Sequence, residues 1–307
     1  MALPLDWPSG AGTERSRRIL EEIRRGNYEL DWCPMDLSDG TSTLRVQVSC
    51  DALKIGGVRV SSNAVTQQLI ADELGAVLLT PKLYDSTWLK TAPQNRLDPK
   101  PQPITSSTAG TVNYSARVDA HIQQKGSTGL LANVGKAWVI TNKIFTPEAR
   151  AAKKAANHGW ILPSQGYQGL RGEPSQSTPS LLIVQDIGLA HNDQHDDYSQ
   201  VILLAARAAR FGELPVDLAD VYTGKSPGNS LVSHEGFLKD YRQPTNGFDD
   251  EPPTLPEGGS KRPAGAGGRV VAGGALGGTI GWFAAQAPGA AIGVLIGGIL
   301  ANATRRT

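Results

Sequence analysis

Between Arg269 and Arg305 the chain runs for 35 residues without a charged side chain. Inside that stretch Gly273, Gly277 and Gly281 recur every four residues, and Gly289, Gly293 and Gly297 repeat the pattern. Residues four apart share one face of a helix, so each set makes a flat glycine groove. Such grooves let helix backbones approach closely in lipid. Gln286-Ala287-Pro288 interrupts the run, and Pro288 suits the first turn of a second helix. The pattern over 269–307 predicts a glycine-zipper helical hairpin, with helices of about 17 and about 16 residues, at the short limit for spanning a bilayer. A hairpin puts Arg269, Arg305 and Arg306 on one side, as expected of a cytoplasmic face. The alternative is a soluble hairpin packed inside a protein assembly. Either way the globular fold has to come from the residues before it.

Residues 245–268 are the join. Asp249-Asp250-Glu251-Pro252-Pro253 and Pro256-Glu257-Gly258-Gly259 cannot bury a core, and they predict a flexible linker. Over the whole chain 30 basic residues nearly balance 29 acidic ones, which points away from nucleic acid as a partner. The first residues, Met1-Ala2-Leu3-Pro4-Leu5-Asp6, lack the charged start and apolar core of a secretory signal peptide. The two cysteines, Cys33 and Cys50, flank Asp39-Gly40 in an expected hairpin. A disulfide fits if the register allows it. Two half-buried thiols are the expectation. The C-x-x-C pairs of a zinc site do not occur.

Residues 1–45 read as an extension made of a helix over 13–25 and a strand over 28–35. Residues 46–244 read as an α+β core with a mixed or antiparallel sheet and flanking helices. Leu44, Val46 and Val48 alternate with Arg45, Gln47 and Ser49, the pattern of a half-buried strand pairing with 28–35. Helices are expected over 64–74, 80–92, 117–125, 147–157 and 205–211. Residues 136–142 and 158–162 are expected strands, the first of them central. Residues 93–113 read as a long surface loop, and 163–179 as a glycine-rich lid or a disordered insertion.

One stretch concentrates the chemistry. His191-Asn192-Asp193-Gln194-His195-Asp196-Asp197-Tyr198-Ser199 holds two imidazoles, three carboxylates, a phenol and a hydroxyl between the apolar runs 181–184 and 201–204. His191 and His195 share a side on either a helix or a strand, and with Asp193 they supply the first shell of a divalent metal such as zinc. Without metal, His191, Asp197 and Ser199 are the types of a base, an orienter and a nucleophile. His158 is a further catalytic candidate. Trp160, Tyr198 and Lys136 are candidates for binding substrate, with Trp160 as an aromatic wall. The plainer alternatives are a polar loop whose carboxylates cap neighbouring backbone, and a structural tryptophan.

These residues also carry a resemblance. Gly159-Trp160 and His191 through Asp197-Tyr198-Ser199 resemble the Gly-Trp-His and His-x5-Asp-Tyr-Ser-His elements of a widespread, largely uncharacterised bacterial protein family. Leu79-Thr80-Pro81-Lys82, Lys136 through Asn142, and Val232-Ser233-His234-Glu235-Gly236 resemble three more of its segments. The likeness covers about residues 46–244. Two imidazoles of the pattern are replaced, by Ile161 and Gln200. The resemblance implies one domain and a loose link to cell-wall contexts. Together with the tail it leads to two expectations. One is a peptidoglycan hydrolase tethered to a membrane. The other is a non-enzymatic, membrane-associated component of a virion or injected particle, self-associating or bound to lipid through 269–303.

Overall fold

The structure, a computed structural model, describes residues 3, 7–10, 12–103 and 105–244. The expected linker and glycine-zipper hairpin lie outside the described residues.

The first helix, α1 (Thr13–Arg24), buries Ile19, Leu20 and Ile23. Strands β1 (Trp32–Ser38) and β2 (Thr43–Ser49) pair antiparallel around a turn in which the Asp39 carboxylate accepts from the Thr41 and Ser42 amides. Leu44, Val46 and Val48 are buried, so the alternation read from the sequence is the pleat of β2. This strand runs straight through residue 45, and α1 packs on α2 (Ala64–Glu73), so the first 45 residues are built into the same core. A two-residue hairpin, β3 (Lys54–Ile55) and β4 (Val58–Arg59), stands between them. Strand β5 (Ala76–Leu78) and helices α3 (Pro81–Lys90) and α4 (Thr108–Lys125) follow.

Cys33 and Cys50 form a disulfide, with Cα atoms 5.0 Å apart. The free-thiol expectation is therefore wrong. Register is the reason. The Cys50 amide donates to Asp31 O, one step past the Trp32–Ser49 pair, and this brings Cys50 within bonding reach of Cys33.

The expected loop over 93–113 also ends early, because α4 starts at Thr108. Ser107 caps it by accepting from the Gly110 amide, and Gly126 at φ 63° ends it. Its buried face is Thr111, Tyr114, Ser115, Val118 and His121. Most of those residues are polar, which hid the helical period.

A second sheet holds β6 (Lys136–Val139), β7 (Ala156–Leu162), β8 (Glu173–Pro174) and β9 (Leu182–Gly188), in the order β6-β7-β9-β8. The β6 strand is terminal rather than central. Its outer edge is nonetheless closed, since the Lys136 amide donates to Ser199 O at 2.7 Å and the Ile140 amide to Leu79 O. Helix α5 is only Pro147–Ala151, because β7 claims the backbone from Ala156 onward. The segment 163–179 is no disordered insertion around β8: Ser175 and Ser177 are buried and donate to Asp85.

The expected helix over 205–211 is two strands, β10 (Leu204–Ala206) and β11 (Ala208–Phe211). They pair with the free edge of β2 at Ala205–Val48 and Arg210–Arg45. Beyond them β10 pairs with β5, and β11 with β12 (Leu214–Asp217). Alanine favours helix by only tenths of a kcal/mol per residue, and a line of unpaired strand donors and acceptors outweighs that. Helices α6 (Leu218–Thr223) and α7 (Asn229–Val232) close the described chain. All pairing between these strands is antiparallel, so the class is α+β with antiparallel sheets and flanking helices.

Candidate functional site

The stretch 191–199 is neither helix nor strand. It is a loop pinned at both ends. The Ala155 amide donates to His191 O, and the Asp193 amide to Lys153 O at 2.7 Å. At the other end Asp197 Oδ1 accepts from the Ser199 amide at 2.8 Å and from Ser199 Oγ at 2.6 Å. This is the turn that Asp builds from its own side chain. The Asp197 amide in turn donates to Gln200 Oε1. Between the ends Asp196 is buried in an ion pair with Arg15 of α1. Arg15 thus ties α1 to the loop from inside the core.

The C-terminal end of the loop runs along the outer edge of β6, where the Lys136 amide donates to Ser199 O and Lys136 pairs with Gln200. Lys136 Nζ reaches Gln185 Oε1 at 3.0 Å and Asp197 Oδ2 at 3.4 Å, and stands 5.3 Å from the centre of the Trp160 ring. Gly159 makes room for it: a Cβ there would sit 2.7 Å from Lys136 Cα. His191 and His195 stack with ring centres 3.7 Å apart and 6° between planes. His195 Nε2 lies 3.8 Å from Asp197 Oδ2. Both imidazoles are partly exposed, while Lys136, Asp197, Tyr198 and Ser199 are buried. Burial pushes the pKa of each imidazole down. The His195 and Lys136 charges push His191 further, and for His195 the neighbouring Asp197 only partly offsets burial. Each shift favours the neutral ring.

The predicted residues divide into two groups. His191, His195, Asp197, Lys136, Trp160 and Tyr198 come together. Ser199 is fully buried with its hydroxyl committed to Asp197. The Tyr198 hydroxyl exchanges hydrogen bonds with Gln102 backbone. Stacked parallel rings aim their lone pairs side by side instead of at one point. Among the described residues no group of three or more His, Cys, Asp or Glu stands ready to hold a metal ion.

His158 stands in a separate network. Its Nε2 is 2.8 Å from Asp85 Oδ1, its Nδ1 is 3.4 Å from Asp186 Oδ1, and the ring is fully buried. A β-bulge creates this contact. Asn157 pairs with Gly188 and Gly159 with Gln185, so Asp186 and Ile187 together oppose His158 alone. The extra residue re-aims Asp186 at the imidazole. Ile187 takes φ 34° and Trp160 φ 63° beside it. For a β-branched and an aromatic residue these are outliers, of the kind that gathers around sites.

Gln185, Asn157 and Gln200 belong to the first group, and Asp85 and Asp186 to the second. Gln185, Asn157, Asp85 and Asp186 carry no pattern in the sequence that marks them as site residues. Gln185 and Asp186 follow the apolar start of β9 in the middle of the strand, and only the bulge tells which way they point. Comparison with protein-family models, with curated proteins and with solved structures returned no match.

Proposed function

We propose that the domain is a hydrolase acting on a cell-envelope polymer, peptidoglycan. The observation that carries this is a pair of partly exposed imidazoles, shifted toward the neutral ring and set over a buried Lys136–Asp197 ion pair. A neutral imidazole can take a proton from water, and a carboxylate beside it steadies the imidazolium that forms. In this reading His195 is the general base and Asp197 orients it. His191 shares the proton load, and the Lys136 ammonium stabilises negative charge developing on the substrate. Water is the nucleophile, since Ser199 Oγ is occupied. The Cys33–Cys50 disulfide supports work outside the reducing cytoplasm. The uncharged segment 269–303 supports a membrane tether.

The second reading is a non-enzymatic binding module of a membrane-associated or virion-type particle. Ile161 and Gln200 favour it, because they replace the two imidazoles of the family pattern that the chain resembles. Muropeptide release from purified peptidoglycan decides between the two. The hydrolase reading expects the wild type to release fragments. It expects His195→Ala to lose at least about a hundredfold of that activity with its melting temperature preserved, and Asp197→Asn to lose it in protein that melts lower but is still folded at the assay temperature. No release by the wild type, or equal release by wild type and variants, leaves the binding module. A zinc on His191, His195 and Asp193 is the other source of a nucleophile, and it requires the rings to turn out of their stack. Stoichiometric zinc lost in His191→Ala would establish it.

A further inference from the structure

Phe237 is 66% exposed, the most exposed large apolar side chain among the described residues. A lone exposed apolar residue needs no explanation, but this ring is held in place. The Phe237 carbonyl accepts from Asn142 Nδ2 at 3.0 Å, and the amide of Leu238 donates to Tyr222 O at 2.9 Å. The ring rests against Gly224, where a Cβ would lie 2.7 Å from Phe237 Cγ. Gly224 is also the left-handed residue that ends α6, at φ 80°. The turn that leads to Phe237 shares no residue with the imidazole site. Ser233 Oγ closes it by donating to Gly236 O, and the Glu235 carboxylate ties it down by accepting from Thr141 Oγ1 and the Asn142 amide.

The ring forms one wall of an open cavity of about 570 Å³, a volume in the range of small-molecule sites. The other wall is the connection from α6 to α7, which brings Lys225, Ser226, Asn229 and Ser230 to the cavity. Asn229 is buried, and its Nδ2 donates to Val221 O at 3.2 Å and to Tyr222 O at 3.0 Å. Its Oδ1 is left as an acceptor without a donor among the described residues. Lys225 is exposed and is the one charged side chain on the lining.

We infer that this cavity is a subsite for a carboxylate-bearing glycan, with one pyranose ring stacked on Phe237. A pyranose has a face of C–H bonds and a rim of hydroxyls. The C–H face suits an aromatic plate, and the rim supplies donors for Asn229 Oδ1 and partners for the two serine hydroxyls. An apolar peptide side chain in the same place would cover the Asn229 oxygen without giving it a donor, which is costly. A lone ammonium with no carboxylate on the lining sets the sign of the ligand's charge. The inference names how the proposed hydrolase holds its polymer through residues other than the imidazole loop, and it rests on that reading for the identity of the polymer. Binding itself does not depend on turnover.

The test is calorimetric titration of the full chain with two sugars. One is the disaccharide of N-acetylglucosamine and N-acetylmuramic acid, whose lactyl carboxylate is free. The other is the dimer of N-acetylglucosamine, which has no carboxylate. Both should bind, the carboxylated one about threefold tighter, the size of an exposed charge contact. Phe237→Ala should weaken both at least about fivefold with the melting temperature unchanged, because the ring is exposed. Lys225→Gln should erase the difference between the two sugars and leave the affinity for the uncharged dimer as it was. No binding of either sugar by the wild type, or equal affinity in Phe237→Ala, overturns the inference. Binding of the isolated peptide stem through Phe237, with no binding of the sugars, also overturns it. If the sugars bind through Phe237 but no muropeptide is released, the hydrolase reading fails and the subsite stands. If muropeptide is released and Phe237→Ala changes neither sugar binding nor KM, the subsite fails and the hydrolase reading stands.

Discussion

Five histidines occur in the chain, and His158 is the one whose surroundings favour the charged ring. Burial works against the imidazolium, and Asp186 and Asp85 together more than reverse it, so its pKa is raised above the ordinary value. The folded chain then holds this proton more tightly than the unfolded chain does. That stabilisation is complete below the ordinary imidazole pKa and is lost as pH rises through the raised one. The wild type is expected to lose stability as pH rises above the ordinary imidazole value of about 6.5. His158→Gln should flatten that slope, even if it is less stable at every pH. Thermal melts of both proteins across this range check it, and parallel slopes would remove His158 as the cause. The same carboxylate, Asp85, accepts from Ser175 and Ser177 through its second oxygen, so the segment around β8 should loosen with the same titration.

Among the elements, the β1–β2 hairpin carries the most strand pairing, and the disulfide closes it. Cys33 and Cys50 are separated by 17 positions, and a cross-link closing a loop of that size is worth roughly 3 kcal/mol through the unfolded chain. Urea unfolding with and without reductant should differ by about that amount, and Cys33→Ala with Cys50→Ala should match the reduced protein. Identical midpoints would show that the bond does not form in solution. This hairpin was legible in the sequence, because Leu44, Val46 and Val48 alternate and Asp39-Gly40 marks the turn. The β10–β11 ribbon was not. Residues 205–211 read locally as helix, and what makes them strand is the open edge of β2, more than 150 positions earlier. The site divides the same way. The density of His191 to Ser199 marked the loop, but the bulge that separates Asp186 from Gln185 leaves no trace in composition.

At the scale of the whole molecule the proposal joins an α+β domain to a membrane through 269–303. The physical ground is the absence of charge together with two glycine grooves, which let each helix satisfy its backbone internally and pack backbone against backbone. Among the described residues no helix is long and apolar enough to cross a membrane. The full chain is expected to float with liposomes, and residues 1–244 to stay in the soluble fraction. Gly277→Leu with Gly293→Leu should weaken self-association while keeping the chain on the membrane. A full chain that stays soluble without detergent or partner would move the tail into a protein assembly.

Taken alone, the amino-acid order determined what depends on neighbours a few residues apart. It marked the strand period of 43–49, a helix over 64–74 with its glycine stop, the Pro81 start of α3, the uncharged run of 270–304 and the polar cluster of 191–199. Tertiary structure decided everything that needed a distant partner. It put Arg15 against Asp196, sent His158 to Asp85 and away from His191, turned 205–211 into strand and set Lys136 between Gln185 and Asp197. The reason is the range of the forces. Side-chain periodicity and capping act within a turn or two of chain. Strand edges and buried charges take the nearest partner in space, wherever it lies in sequence.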